Sequence, residues 1–283
     1  MPITTFEGLK EFITSFPEGN YYFRGYTDIE QLKPTLGREK FADREERAYK
    51  AFGEFIKELD KGEINNQTWK DCIALSQHYG VPTKLVDLTV DPWVAVYFGL
   101  GKEHKNGRFK ILYTDAKKFK ATFSNEIRNY NISIGDITEG NTTIDDLLKF
   151  SPTIENLLEF RGNDIITLKK TESALLGEMC KKLFDIQEEF VVLMYDKTEN
   201  LRLFRQKGLF VLFRDENNSL KSDSFDGIFK EVTVELSEDE VQKTWNHLEK
   251  TCYTEEMLLP EIINSTNVAE IAKNVKKEFF PSN

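Results

Sequence analysis

The feature that most constrains the fold is a helix without a polar face. Asp91 and Pro92 are favoured at the N-cap and first position of a helix, and residues 93–100 are apolar almost all the way round. A helix of this kind must be enclosed by other elements. The chain has 283 residues, which is long enough to bury a core, and its 22 Phe and 10 Tyr predict a bulky aromatic one.

The rest of the chain mixes helices and strands. Periodicity and capping residues predict helices over 5–15, 43–60, 68–78, 237–248 and 268–279, and a short one from Asn200 to Gly208. Strands are predicted over 21–26, 109–114, 190–195, 209–213 and 229–236, and a helical insertion at about 117–185. Because these elements do not alternate regularly, we expect one α+β domain over residues 1–283. Its central mixed or antiparallel sheet is expected to be surrounded by helices.

Composition and missing motifs exclude several classes of function. The 48 acidic and 38 basic residues give a net charge of -10, which argues against binding nucleic acid or an anionic membrane. Cys72, Cys180 and Cys252 are too far apart for a disulfide framework or a Cys-x-x-Cys site, and no metal is expected. Phosphate-loop, kinase, serine-hydrolase and zinc-hydrolase motifs are lacking. With no signal peptide and no apolar span, we expect a cytoplasmic protein.

Arg24 is the first candidate site residue, because it lies in a strand of aromatic residues. A buried guanidinium needs an anionic partner. That partner could be an internal carboxylate, Asp87 or Asp91, or it could be a phosphate or carboxylate of a ligand, which the planar fork of arginine suits. Gly25, next in the chain, would allow a ligand to approach the backbone closely.

Two further segments concentrate polar groups. The first closes a helix and precedes the apolar one, and its candidate residues are Gln77, His78, Tyr79, Thr83, Lys84, Asp87 and Thr89. An anion or a ribose hydroxyl could dock there, although His78 also suits a helix C-terminus and Asp87 could pair with Lys84 or Arg24. In the second segment, Arg202 and Gln206 lie four residues apart on one face of a helix. This face is either exposed to solvent or forms hydrogen bonds with polar groups of a ligand.

These segments together resemble the FRG domain family. Phe23-Arg24-Gly25 is the tripeptide that names the family, and residues 75–89 (LSQHYGVPTKLVDLT) are similar to its Gln-His-x-Gly-x-Pro-Thr-Arg-Leu-Leu-Asp-Trp-Thr core. Lys84 and Leu88 replace the usual Arg and Trp. Residues 200–210 resemble the downstream Arg…Gln-x-Gly-x-Phe element, and residues 258–261 the closing turn. The resemblance spans about 5–275, without the insertion.

FRG-domain proteins are found in bacteria and phages, and some are encoded near defence or toxin-like genes. The resemblance therefore implies a possible role in defence or as a toxin. A second similarity adds chemistry: aromatic-Arg-Gly on an early strand looks like the first-strand arginine of Arg-Ser-Glu ADP-ribosyltransferases. That similarity implies that Arg24 holds the NAD diphosphate and that Thr89 takes the serine or threonine position. Gln206, Glu231 or Glu235 would take the place of the glutamate.

Two hypotheses follow. In the first, the chain is an ADP-ribosyltransferase-like effector that binds NAD or a related nucleotide and modifies a protein target. Its catalytic residues are Arg24, His78, Asp87 and Gln206, and its ligand-binding residues are Gly25, Gln77, Tyr79, Thr83, Lys84, Thr89 and Arg202. In the second, the chain is a non-catalytic sensor or interaction module, and the same polar cluster is a structural ion-pair network. A metal-dependent nuclease ranks last, because no paired-carboxylate spacing is evident.

Overall fold

The computed structural model describes residues 1–58, 69–101, 107–125, 127–128, 189–193, 204–259 and 266–281. These residues form a sheet whose strands are β1 Tyr21–Tyr26, β2 Leu85–Thr89, β3 Arg108–Asp115, β4 Ile127–Arg128, β5 Phe190–Leu193, β6 Gly208–Phe213 and β7 Lys230–Glu235. The order is β4-β5-β6-β2-β1-β3-β7, and all neighbours are antiparallel except β4 and β5. The predicted α+β class with a mixed sheet is therefore confirmed.

The helices of the described residues are α1 Phe6–Thr14, α2 Arg44–Glu58, α3 Trp69–His78, α4 Pro92–Leu100, α5 Ala116–Thr122, α6 Glu238–Lys250, α7 Glu255–Leu258 and α8 Thr266–Phe279. Two short 3₁₀ turns, Ile29–Leu32 and Leu36–Arg38, follow β1. The apolar helix begins where predicted: the Asp91 carboxylate accepts the Trp93 N–H at 3.0 Å, and Pro92 is the first helical residue. None of the described helices is long and apolar enough to cross a bilayer.

Two separate groups of helices cover one face of the sheet. Helices α2, α3 and α8 pack on the apolar side chains of β2, β5 and β6, such as Leu85 and Phe210. Helices α1, α4 and α6 pack on those of β1, β3 and β7, such as Phe23 and Ile111. The boundary between the two groups therefore lies above the junction of β1 and β2.

The opposite face of the sheet carries the predicted aromatic core. Helix α5 and the segment 220–229 cover it, and seven buried aromatic rings pack there among Leu, Val and Ala side chains. These rings are Tyr22, Tyr26, Phe119, Phe123, Phe190, Phe213 and Phe225. Edge-to-face pairs such as Phe123 with Phe190, whose centroids are 4.9 Å apart, fill this layer. This face is thus closed, and any cleft in the sheet must open on the other side.

The sheet is nearly divided at its centre. Strand β1 pairs with β3 along all of its residues, from Tyr21 to Tyr26, but with β2, whose residues are also all described, only at Phe23 and Thr89. Next to that pair, the Arg24 guanidinium donates to the Asp87 backbone carbonyl at 2.6 Å. A side chain thus supplies a hydrogen bond across the gap where a second ladder pair would ordinarily do so.

Several predictions lie outside the described residues. These are the end of the predicted strand at 194–195, the helix start at Asn200 and most of the insertion at 117–185. Within the insertion, α5 and the short β4 are described. Periodicity does not predict β2, because this strand is buried along most of its length and carries no simple alternation.

Candidate functional site

A cleft of about 490 Å³ opens where β1 and β2 separate, and α3 and α4 both contribute to its walls. Most of the predicted site residues line it, namely Arg24, Gly25, Gln77, His78, Asp87, Thr89 and Gln206. They come from β1, the end of α3, β2 and the turn before β6. The sheet order and the two helix groups bring them together.

Arg24 forms an ion pair with Asp87. Its Nη1 lies 2.9 Å from Asp87 Oδ2, and its Nε and Nη2 donate to the Gln31 carbonyl at 3.1 and 2.7 Å. Only 11% of its side chain is exposed. Of the partners that the sequence left open, Asp87 is thus the one found. Asp91 instead caps α4 and contacts Lys207 and Tyr253.

The Asp87 carboxylate is held in its ionised form while facing the cleft. Burial opposes its ionisation, but the charge of Arg24 and the hydrogen bond from Arg24 outweigh that effect and lower the pKa of Asp87 below its usual range. Its side chain is 45% exposed. At neutral pH this group can therefore accept hydrogen bonds or stabilise positive charge, and it has no proton to donate.

Gln77 and His78 reach the cleft from the last turn of α3. The Gln77 amide oxygen accepts a hydrogen bond from the Thr83 hydroxyl, which turns the amide nitrogen into the end that can donate to a ligand. The His78 ring packs beside Phe210, with centroids 6.1 Å apart. This wall of the cleft therefore offers an amide and an imidazole on a rigid helix end.

Gly25, Thr89 and Gln206 line the cleft, but the fold already uses them. A Cβ atom on Gly25 would lie 1.7 Å from the Ala95 carbonyl oxygen, so this glycine allows α4 to pack on β1 rather than a ligand to approach. The Thr89 hydroxyl donates to the Gln206 carbonyl at 2.6 Å, and the Gln206 amide donates to the Leu258 carbonyl at 2.9 Å. These contacts fix the shape of the cleft.

Tyr79, Thr83 and Lys84 do not line the cleft. Tyr79 packs against the core formed by α2, α3 and α8. Lys84 is buried, and its ammonium donates to Glu45 and to the Arg214 carbonyl. The charge of Lys84 therefore joins α2 to the end of β6 instead of adding to the cleft.

Thr83 supports a turn on the cleft wall. Its N–H donates to Thr35 Oγ1 at 2.9 Å, and its carbonyl accepts the Leu36 N–H at 2.9 Å. The 3₁₀ turn that holds Leu36 also holds Arg38, which lines the cleft. Arg202, the remaining predicted residue, lies outside the described residues.

The cleft-wall residues that sequence reasoning did not include in the site are mostly apolar, but among them are Gln31, Thr35, Arg38 and the half-exposed Phe98. The first three lie in the short turns after β1, where irregular polar sequence gives no periodicity to interpret. Phe98 lies on the apolar helix and reads as core, yet 36% of it is exposed. A polar residue on the same side of that helix would have indicated an exposed position, but the sequence has none there.

The cleft provides charge and hydrogen-bonding groups but no evident metal site. Across the described residues, no group of three or more His, Cys, Asp or Glu side chains is placed to hold a metal ion. Its charged side chains are Arg24, Arg38 and Asp87, beside the titratable His78. Such a lining suits a polar organic ligand that bears negative charge.

Comparison with known proteins identifies the family of the segment that forms most of this cleft. Residues 19–108 match the FRG domain. A search of curated proteins and a search of solved structures found no match. The matched segment includes β1, the two 3₁₀ turns, α2 to α4 and β2, and with them every residue of the cleft wall except Gln206 and Gly208. The chain therefore contains an FRG domain, and most of the residues that line the cleft belong to that domain.

Proposed function

We propose that the cleft binds a nucleotide, with NAD as the first candidate, and that the FRG domain acts as an ADP-ribosyltransferase-like transferase on a protein target. One observation supports this most directly: a half-exposed carboxylate, Asp87, is kept ionised by Arg24 inside a nucleotide-sized cleft. Such an effector would suit the defence and toxin-like settings of some FRG-domain proteins.

The size and lining of the cleft fit this ligand class. Small-molecule sites usually enclose roughly 300–1,000 Å³ and combine apolar walls with a few converging polar groups. Here the volume is about 490 Å³, Phe98 and Val94 give an apolar wall, and Asp87 and Gln77 give the polar groups. The Asp87 carboxylate can accept hydrogen bonds from ribose hydroxyls, and an amide such as Gln77 pairs well with a carboxamide.

NAD would supply a bond between ribose and nicotinamide that breaks with positive charge developing on the ribose. The Asp87 carboxylate would stabilise that charge, as a fixed anion does in a site that excludes water. Arg24 positions Asp87 and keeps it ionised. Nicotinamide would leave with the bonding electrons, and a nucleophile of the target would form the new bond to the ribose.

The proposal is tested by incubating the full chain with NAD and measuring nicotinamide release and the melting temperature. We expect NAD to raise the melting temperature of the wild type. We also expect Asp87→Asn to reduce release by about a hundredfold while the variant remains folded. Asp43→Asn is the matched control, because Asp43 also pairs with an arginine, Arg47, but lies outside the cleft. Neither release nor a thermal shift with wild type would refute the proposal.

The second candidate function is a non-catalytic sensor or interaction module. The observation that favours it is the engagement of Arg24 by Asp87 and Gln31, which needs no ligand. In this case Arg24→Ala lowers the free energy of unfolding by about 3 kcal/mol, because Asp87 loses its partner. That loss of stability fits both candidates, so the deciding measurement is the effect of NAD on the melting temperature. For a non-catalytic module, NAD shifts the melting temperature of neither the wild type nor Arg24→Ala.

A further inference from the structure

The cleft contains more positive than negative charge, although the chain as a whole is acidic. Arg24 and Arg38 both line it, and Asp87 is its one carboxylate among the described lining residues. Asp87 pairs with Arg24. Among the described residues no ion pair joins a carboxylate to Arg38: Glu30 pairs with Lys33, and Asp28 caps a turn, although their charges and that of Asp87 act on Arg38 from a distance and favour its protonated form. A local excess of positive charge in a protein of net charge -10 needs an explanation.

The two guanidinium groups lie close together. Arg24 Nη2 and Arg38 Nη2 both donate to the Gln31 carbonyl oxygen, at 2.7 and 3.0 Å. Desolvation in the cleft and the positive charge of Arg24 lower the pKa of Arg38, which still remains protonated at neutral pH. Two cations that share one carbonyl repel each other, and a bound anion would remove that repulsion.

Arg38 is also held in place. Its Nη2 donates to the Gln31 and Lys33 carbonyls, at 3.0 and 2.7 Å, and no described residue accepts a hydrogen bond from its Nε or Nη1. The turn that holds Arg38 is joined to the segment before β2 by the hydrogen bonds between Thr35 and Thr83. Nη2 is thus bound to backbone carbonyls while Nε and Nη1 keep available donors, and the anchored side chain has less entropy to lose when a ligand binds.

We propose that Arg38, and not Arg24, binds a phosphoryl group of the ligand in the cleft. The Nη1 group of Arg38 can donate charge-assisted hydrogen bonds to phosphate oxygens while Nη2 stays bound to the backbone carbonyls. Arg24 is left to position Asp87, toward which the sugar of the ligand lies. This inference rests on the proposed function, because it names the residue that recognises the diphosphate of a nucleotide.

The test measures binding of inorganic pyrophosphate and of NAD to the full chain by titration calorimetry. We expect Arg38→Ala to weaken the binding of both by about tenfold or more, as loss of a charged hydrogen-bond pair should. Lys40→Ala is the matched control: it removes a positive charge from an exposed residue two positions after Arg38, outside the cleft. We expect it to change binding by less than about threefold.

The fold should tolerate Arg38→Ala, since Gln31 O keeps its bonds from Arg24 and the exposed Lys33 carbonyl can bond to water. Arg38→Lys gives a second measure, with an intermediate affinity expected because the charge remains and the anchored guanidinium is lost. NAD binding that is equal in wild type and Arg38→Ala would overturn the role of Arg38 and leave the nucleotide proposal standing. Pyrophosphate binding that depends on Arg38, without NAD binding, would support the anion site and refute the nucleotide proposal. Binding of neither ligand to wild type would overturn both.

Discussion

At the scale of single residues, two ion pairs of this protein bury the cation and leave its carboxylate partner more exposed. The Arg24 side chain is 11% exposed and that of Asp87 45%, and Lys84 and Glu45 show nearly the same contrast. Backbone carbonyls make the arrangement possible, because each buried cation also donates to one or more of them. The Asp87 carboxylate thereby stays ionised and accessible, as a binding site requires.

A further ion-pair cluster leads to a prediction about acid stability. Glu231 on β7 contacts Lys110, Lys221 and the Tyr26 hydroxyl. Burial alone would raise its pKa, but these hydrogen bonds outweigh it and lower the pKa of Glu231 to about 2. The folded-state pKa lies below the unfolded value, so the stabilisation is present above about pH 4.5 and is lost as the pH falls toward 2.

We therefore expect Glu231→Gln to lower the free energy of unfolding at pH 7 by about 1–2 kcal/mol, a value reduced for solvent screening. The difference between variant and wild type should shrink as the pH falls below about 4. Urea denaturation at pH 7, 4 and 2.5 measures it. Glu235→Gln, at an exposed carboxylate of the same strand, is the control. A constant difference at all three pH values would contradict the assignment.

At the scale of elements, the position of α4 depends on the absence of a side chain at Gly25. A Cβ atom there would lie 1.7 Å from the Ala95 carbonyl oxygen and 3.0 Å from the Gly99 nitrogen. Helix and strand are in backbone contact at this point. The glycine of the Phe-Arg-Gly tripeptide therefore sets the distance between β1 and α4, and with it one wall of the cleft.

We expect Gly25→Ala to destabilise the protein by about 2–3 kcal/mol or more, since the obstacle is backbone and cannot change rotamer. Thermal and urea denaturation measure the loss. Adding Ala95→Gly should not restore stability, because the clash involves the carbonyl of residue 95 and not its side chain. Full rescue by the second substitution would contradict the backbone contact.

Helices and strands that are determined by their own residues were predictable from the sequence. Those that depend on partners elsewhere in the chain were not. Asp91 and Pro92 mark the start of α4, and the aromatic run marks β1. Strand β2 has no such mark, because Asp87 within it and Lys84 just before it look like polar site residues, and their partners lie elsewhere in the chain. Similarly, Arg24 was identifiable as a charge among aromatics, whereas Arg38 stands in a polar turn and becomes part of the cleft only through Thr35 and Thr83.

At the scale of the whole molecule, the FRG segment is not a self-sufficient unit of structure. Residues 19–108 contain β1 and β2, the two central strands. Their outer neighbours, β3 and β6, begin at Arg108 and Gly208, at or beyond the end of the matched segment. The match to the family thus covers the middle of the sheet and leaves both of its sides to other parts of the chain.

We expect a fragment of residues 19–108 not to fold cooperatively. Without β3 and β6, its two strands would keep one mutual pair, Phe23 with Thr89, and expose their outer edges and apolar faces. Circular dichroism during heating and the dispersion of amide resonances measure folding, and the full chain is the reference. A sharp thermal transition in the fragment would show that the sheet neighbours are dispensable.

The near division of the sheet at Phe23 and Thr89 has a consequence for how this protein can vary. Within the sheet, the two halves meet at a seam where one strand pair and one guanidinium supply hydrogen bonds, and the same guanidinium orients the acidic group of the cleft. Substitutions at this seam should therefore change both the stability of the sheet and the ligand preference of the cleft. Arg38 and Phe98, which lie in the cleft wall, form no hydrogen bond between β1 and β2, so their identity is freer to vary.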